Sequence, residues 1–256
     1  MIVAIDVGNT QTVMGLFEGD DLVDDWRLST VRERTADEYR LFFAGLLRQD
    51  GYRLEDLEGV ALSSVVPTAK SALVAMAEDL IDGTIVVIGP GVKTGMPINI
   101  DNPREVGADR VVNAVAAAHG YGTPVVAVDF GTSTNVDVVD ASGAYIGGSI
   151  APGLEISLEA LISRTAALRR VDMVRPRAAI GRNTVEAIQS GLILGHAGLV
   201  DGIVGAILDE VEGEAAVVAT GGLASTIVAH CRTVTEIDED LTLRGLRLIY
   251  DMNPGE

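Results

Sequence analysis

The apolar run Ile2-Val3-Ala4-Ile5-Asp6-Val7 ends in Gly8-Asn9-Thr10, and half a chain later Val125-Val126-Ala127-Val128-Asp129-Phe130 ends in Gly131-Thr132. Both segments run through β-branched and small apolar residues to an aspartate and then a turn of glycine and threonine, the second turn one residue shorter. This repeat constrains the fold more than any compositional figure does. A chain that carries one supersecondary unit twice is expected to build the same local structure twice.

The surroundings of each copy extend the parallel. Thr12 to Phe17 resumes an extended pattern, and Gly19-Asp20-Asp21 turns it into Leu22 to Leu28, which reads as a three-stranded antiparallel meander. Thr35-Ala36-Asp37-Glu38 is a capping box, so a helix is expected to run to about Gln49, stopped by Gly51. Strand Val60 to Ser64, a helix from about Pro67 to Ile81 and strand Thr84 to Ile88 complete a βββαβαβ order. In the other half, Val136 to Val139, the turn Ala141-Ser142-Gly143 and Tyr145 to Ile150 rebuild the meander. Val217 to Thr220, before Gly221-Gly222, echoes Val60 to Ser64. A helix follows Asn183-Thr184, either of which suits its N-cap, and runs to about Leu208; its part from Gly191 onward reads as buried despite His196 and Asp201. Two similar α/β halves are therefore expected, divided at 1–118 and 119–256, with a long Gly- and Pro-rich loop from Gly89 to Arg104 between them.

Composition narrows the function classes. The chain has 256 residues, with 37 Asp and Glu against 19 Lys and Arg, a net charge of -18, and 48% hydrophobic residues. That apolar content excludes intrinsic disorder, and an acidic surface without a Lys/Arg cluster argues against a nucleic-acid partner. A single cysteine, Cys231, fits a reducing compartment and excludes an internal disulfide. No basic leader or long apolar run precedes Asp6, so the expectation is a cytoplasmic protein with neither signal peptide nor membrane partner. His119, His196 and His230 share no metal-ligand spacing and read as helix or surface residues.

The usual nucleotide loops are missing. Lys93-Thr94 follows Val92 where a Walker A loop demands glycine, and Gly89-Pro90-Gly91 lacks the third glycine of the dinucleotide fingerprint. The paired hairpins offer another phosphate device. Glycine lets backbone amides approach phosphate oxygens, Thr and Asn side chains donate to them, and the aspartate holds a cation or its water shell.

The paired hairpins and the late Thr220-Gly221-Gly222 resemble the sugar kinase, Hsp70 and actin superfamily. Asp6 to Thr10, Asp101-Asn102-Pro103-Arg104-Glu105, Gly107-Ala108-Asp109-Arg110, Asp129-Phe130-Gly131-Thr132, Gly147 to Gly153, Gly181-Arg182-Asn183-Thr184 and Thr220-Gly221-Gly222, all in this order, narrow the resemblance to the type III pantothenate kinases over essentially the whole chain.

That resemblance implies two ribonuclease-H-like domains of duplicated topology, the actin-like ATPase superfamily fold, with the active site in the interdomain cleft. It also implies ATP-dependent phosphorylation of pantothenate to 4'-phosphopantothenate, the first step of coenzyme A biosynthesis, by a homodimer that needs Mg2+ and a monovalent cation, K+ or NH4+. Carried over by motif, Asp6, Val7, Gly8, Asn9, Thr10, Gln11, Thr12 and Val13 form the first ATP loop, with Asp6 near Mg2+. Thr132 contacts ATP from the second loop, and Gly221 and Gly222 lie near the nucleoside. Gly107, Ala108, Asp109, Arg110 and Thr184 line the pantothenate pocket, Asp109 is the proton acceptor, and Asp129 binds the monovalent cation. Arg110, beside Asp109, is placed to hold it ionised and to meet the pantothenate carboxylate. The chain departs from the family where Ser133-Thr134-Asn135 replaces the common Ala-Thr-Thr, and where Gln11 replaces a frequent Asn. The changed second loop motivates an alternative, a non-catalytic nucleotide-binding regulatory relative of the same fold. A phosphohydrolase acting on polyphosphate is a third reading, disfavoured by the Gly107 to Arg110 and Gly181 to Thr184 segments.

Overall fold

The structure is a computed structural model that describes residues 1–165 and 168–255. By internal contacts the chain forms two compact units, one of Met1–Pro97, Asp101–Ala116 and Asp240–Glu256, the other of Ile98–Ile100 and Ala117–Glu239.

In the first unit β1 (Ile2–Val7), β2 (Gln11–Glu18) and β3 (Asp21–Ser29) form the antiparallel meander; α1 (Ala36–Gln49), β4 (Gly59–Ser64), α2 (Pro67–Leu80) and β5 (Thr84–Val87) follow. The sheet order is β3-β2-β1-β4-β5, with β4 parallel to both β1 and β5. The capping box starts α1 as its spacing predicts. Thr35 Oγ1 accepts from the Glu38 amide at 3.3 Å, and the Glu38 carboxylate accepts from the Thr35 amide at 2.8 Å. Val3, Ile5 and Val7 of β1, Leu62 of β4, Phe43 of α1 and Leu73 of α2 meet in one buried cluster, as expected where helices cover a partly parallel sheet.

After α3 (Ala108–Tyr121), within which the unit boundary falls, the second unit repeats the plan. Strands β6 (Val125–Phe130), β7 (Ser133–Val139), β8 (Tyr145–Pro152), β9 (Ala216–Thr220) and β10 (Glu236–Ile237) form a sheet of order β10-β9-β6-β7-β8. Matching β6 to β1, β7 to β2, β8 to β3, β9 to β4 and β10 to β5 reproduces the first order strand for strand. The long Gly- and Pro-rich loop lends this unit three residues: Ile98 bridges to Tyr145, and the Asn99 amide donates to the Tyr145 carbonyl at 2.8 Å.

Between β8 and β9 lie α4 (Leu154–Ser163) and α5 (Thr184–Glu210); α6 (Ala224–Val228) follows β9. Asn183 is the N-cap of α5, its side chain accepting from the Glu186 amide at 2.9 Å, and Thr184 is the first helical residue. The expectation that this helix is buried from Gly191 onward is corrected. Only 28% of its most apolar stretch is buried, through one stripe that includes Ile193, Ala197, Val200 and Val204. Gly191, Gly195, Gly198 and Gly202 lie on the open side, with space around each for a side chain. The helix is apolar all round because one face is aliphatic and the other is glycine, a pattern that composition cannot tell from burial. Asp201, the acid in this stretch, accepts from the Arg232 and Thr233 amides and thereby pins the segment after α6.

The last helix, α7 (Leu241–Asp251), packs on β1 and β4 of the first unit. It buries Leu241, Leu243, Leu246 and Ile249.

Candidate active site

The first unit gathers its polar residues at the C-terminal ends of β1 and β4, where parallel strands leave backbone groups and side chains free to meet a ligand. Asp6 and Val7 close β1, Gly8, Asn9 and Thr10 make the turn, and Gln11, Thr12 and Val13 open β2. The Gly8 amide donates to the Gln11 carbonyl at 2.9 Å. In the parallel ladder Asp6 stands beside Ser63 of β4. Asp6 Oδ1 and Ser63 Oγ are both buried and neither completes a hydrogen bond, although the Ser63 hydroxyl stands near enough to Asp6 to favour its charged form. Orphaned buried oxygens are rare enough in folded proteins to call for an explanation, and a ligand supplies one.

Gly107, Ala108, Asp109 and Arg110 form the entry to α3. Asp109 Oδ1 accepts from the Arg110 amide at 2.9 Å. A Cβ at position 107 would lie 2.5 Å from Asp109 Oδ1, so any larger residue there would displace that carboxylate. Burial first, and then the charge of Asp109, push the Asp6 carboxyl up to about 7, with the Ser63 hydroxyl opposing. Asp109 is also raised by burial, but the Arg110 amide and the Arg110 charge pull against that shift. Two carboxylates near one another thus have unequal surroundings. Both carboxyls are raised by burial, Asp6 further by the charge of Asp109, while Asp109 alone is opposed by the Arg110 amide and charge. Sequence reasoning found Asp6 and Asp109 by motif but missed Ser63. No local pattern marks a serine at a strand end, and only the β1/β4 register brings it to Asp6.

In the second unit Asp129 closes β6, level with Thr220 of β9 on one side and Asn135 of β7 on the other. The β6/β7 turn is closed by the Gly131 amide donating to the Ser133 carbonyl at 3.1 Å, one residue tighter than its counterpart, as the shorter motif predicts. Thr132 stands at the middle of this turn. Asn135, at the position that departs from the family pattern, is buried and accepts from Ser133 Oγ at 3.0 Å. Gly221 has φ +94°, a conformation open to glycine, and its Cβ position lies 2.6 Å from Asp129 Oδ1 and 2.7 Å from the Phe130 carbonyl oxygen. Gly222 follows it on the exposed surface. The structure thus brings Asp129, the Phe130 carbonyl and Gly221 together, whereas Thr184 lines a different feature. That feature is an open groove of about 620 Å3 bordered by Leu161, Gly181, Arg182, Asn183, Ile188 and Leu192 among others.

The family model for type III pantothenate kinases matches residues 2–206. The chain belongs to the type III pantothenate kinase family. Curated relatives agree over full length: a type III pantothenate kinase from Frankia casuarinae is 50% identical over 254 residues, covering 99% of this chain and 100% of that protein. One from Acidothermus cellulolyticus is 50% identical over 257 residues with 100% of both covered. Among solved structures the fold is similar to a protein from Campylobacter jejuni described as a Baf family transcriptional activator, with TM-score 0.60, 16% identity and 97% of each chain covered. It is also similar to component A of the (R)-2-hydroxyglutaryl-CoA dehydratase of Acidaminococcus fermentans, with TM-score 0.57, 14% identity, and 99% and 96% covered. At such identities these structures speak for the fold alone, which is that of the actin-like ATPases and sugar kinases. This pantothenate kinase carries that fold as two sheets of identical strand order.

Proposed function

We propose that this kinase transfers the γ-phosphoryl group of ATP to the primary hydroxyl of pantothenate, with Asp109 as the base. The observation that carries this reading is the placement of Asp109 at the entry to α3, where its carboxylate accepts from the Arg110 amide and its charge acts on the buried Asp6. The hydroxyl oxygen attacks the γ-phosphorus, the bond to the bridging oxygen breaks to leave ADP, and the hydroxyl proton passes to Asp109. Arg110 keeps Asp109 ionised and is available to the pantothenate carboxylate. The Gly8 to Thr10 turn and the Thr132 turn present amides and hydroxyls to the phosphates, Gly221 and Gly222 approach the nucleoside, and Thr184 completes the pantothenate pocket.

The orphaned Asp6 Oδ1 fits Mg2+, which takes one or two carboxylate oxygens and fills its remaining positions with water and phosphate. When bound, that ion neutralises charge on the transferring phosphates. The convergence of Asp129 Oδ1 and the Phe130 carbonyl on Gly221 fits a monovalent cation, K+ or NH4+, which favours such oxygens. A net charge of -18 makes these cations more than accessory, since a polyanionic donor meets an acidic protein with only two lysines, Lys70 and Lys93. We place the contact between two copies of the chain on the open glycine face of α5.

The test is coupled ADP release from purified, folded protein. Turnover is expected only with pantothenate present, and omission of Mg2+ or of K+ and NH4+ is expected to abolish most of it. Absence of pantothenate-dependent turnover sinks the reading, and nucleotide binding without turnover is the behaviour of a regulatory relative. Full activity without either class of cation refutes the proposed cation sites.

A further inference from the structure

Phe130 and Thr134 are the last register pair of the β6/β7 hairpin, immediately flanking the turn Gly131 to Ser133. Both are held by one side chain from a different element. His196 of α5 places Nε2 2.7 Å from Thr134 Oγ1, and its ring centroid lies 6.2 Å from that of Phe130 at an interplanar angle of 53°. All three residues are buried, with relative exposures of 6% for His196 and 1% for Phe130 and Thr134. Ile193 and Ala197 of the same helix are buried in one apolar cluster with Phe130.

The first hairpin has the same arrangement with a different partner. Its closing pair is Val7 and Thr12, and the buried Thr12 hydroxyl shares a hydrogen bond of 2.9 Å with Thr30 Oγ1 just beyond β3. In each unit, then, the threonine that closes the turn is fixed from outside its own strand pair, by a hydroxyl in one and by an imidazole in the other. A buried threonine hydroxyl held this way has one rotamer, and the backbone on either side of it has little freedom to move.

We propose that His196 is a positioning residue for the phosphoryl donor. From α5 it fixes the Gly131 to Ser133 turn and so sets where Thr132 and the turn amides meet ATP. This rests on the reading of Thr132 as an ATP contact. Neither role involves pantothenate directly, so loss of the His196 bond acts on one substrate and spares the other.

His196→Phe keeps a ring beside Phe130 and removes the nitrogen, while His196→Gln keeps a group able to reach Thr134 Oγ1. With folding checked by circular dichroism and thermal melts, His196→Phe is expected to raise KM for ATP by about 3–10-fold, the worth of one hydrogen bond. KM for pantothenate is expected to stay within about twofold. His196→Gln is expected to recover most of the ATP effect, and amide exchange at Gly131 is expected to quicken in His196→Phe alone. Thr132→Val is measured alongside. Impairment of Thr132→Val with unchanged KM for ATP in His196→Phe overturns the positioning role and leaves the loop reading standing. Unchanged kinetics in Thr132→Val overturns the loop reading itself. Should His196→Phe fail to fold, His196→Asn, too short to reach Thr134, replaces it in the comparison with His196→Gln, and equal KM for ATP in those two overturns the proposal.

Discussion

Asp6 is a carboxyl group whose surroundings favour the proton. Its folded pKa of about 7 lies above the ordinary 3.8, so the stability linked to its protonation is fully present below about pH 4 and is lost as pH rises through 7. Three pH units correspond to a few kcal/mol at about 1.4 kcal/mol each. Asp6→Asn, which cannot ionise, is therefore expected to melt at a higher temperature than the parent at pH 8 without ligands, with the gap closing below pH 4. The same variant is expected to lose kinase activity, the signature of a site whose charge is kept at a cost in stability. A melting difference independent of pH would contradict the burial argument. Asp109→Asn belongs to a different class. It removes the proposed proton acceptor without relieving Asp6 of its own burial, and kcat is expected to fall by about 10²–10⁴-fold with the fold intact. A near-normal kcat would take Asp109 out of that role.

Among the elements, the start of α5 separates two neighbouring residues that the bare sequence leaves in competition. Both residues border the groove, but only Asn183 caps the helix, its side chain engaged by the Glu186 amide, so Asn183→Ala is expected to lower stability by about 1 kcal/mol with a smaller effect on KM for pantothenate. Thr184→Val is expected to do the reverse, and thermal melts paired with pantothenate kinetics decide between them. The pattern of success among elements has physical causes. The meanders, α1 and the strand before Gly221-Gly222 were legible because short alternating or apolar runs between turn residues, and a capping box, are local signals. β10 was not legible, being only Glu236–Ile237, both exposed, and held by pairing with β9. α7 was hidden by Gly245, a poor helix former whose reason is distant: a Cβ there would lie 2.3 Å from the Val112 carbonyl oxygen. The site divides in the same way. Asp6, Asp109 and Asp129 stand in motifs, whereas Ser63 and His196 act through a register and a helix packing that no local spacing displays.

At the scale of the molecule, the duplicated strand order does not mean a duplicated chain path. Residues from Asp240 onward belong to the first unit, and Arg247 ties α7 to the β2/β3 hairpin by donating to the Gly19 carbonyl at 2.8 Å. Burying Leu241, Leu243, Leu246 and Ile249 contributes on the order of 5–10 kcal/mol, comparable to the entire stability of a domain. A chain ending at Glu239 is thus expected to leave the first unit without a cooperative melt, while the second sheet, complete within its own residues, keeps its amide protection in hydrogen exchange. Loss of protection in both sheets, or in neither, would refute this division of cores. The order of synthesis follows from the same helix. The ribosome delivers β1 to β5 first and α7 only after the whole second unit, and at about 5–20 residues per second the open face of β1 and β4 waits roughly 10–30 s for its cover. The half of the kinase that is made first is therefore the half that finishes folding last, and its exposed strands are where a chaperone would find this nascent chain.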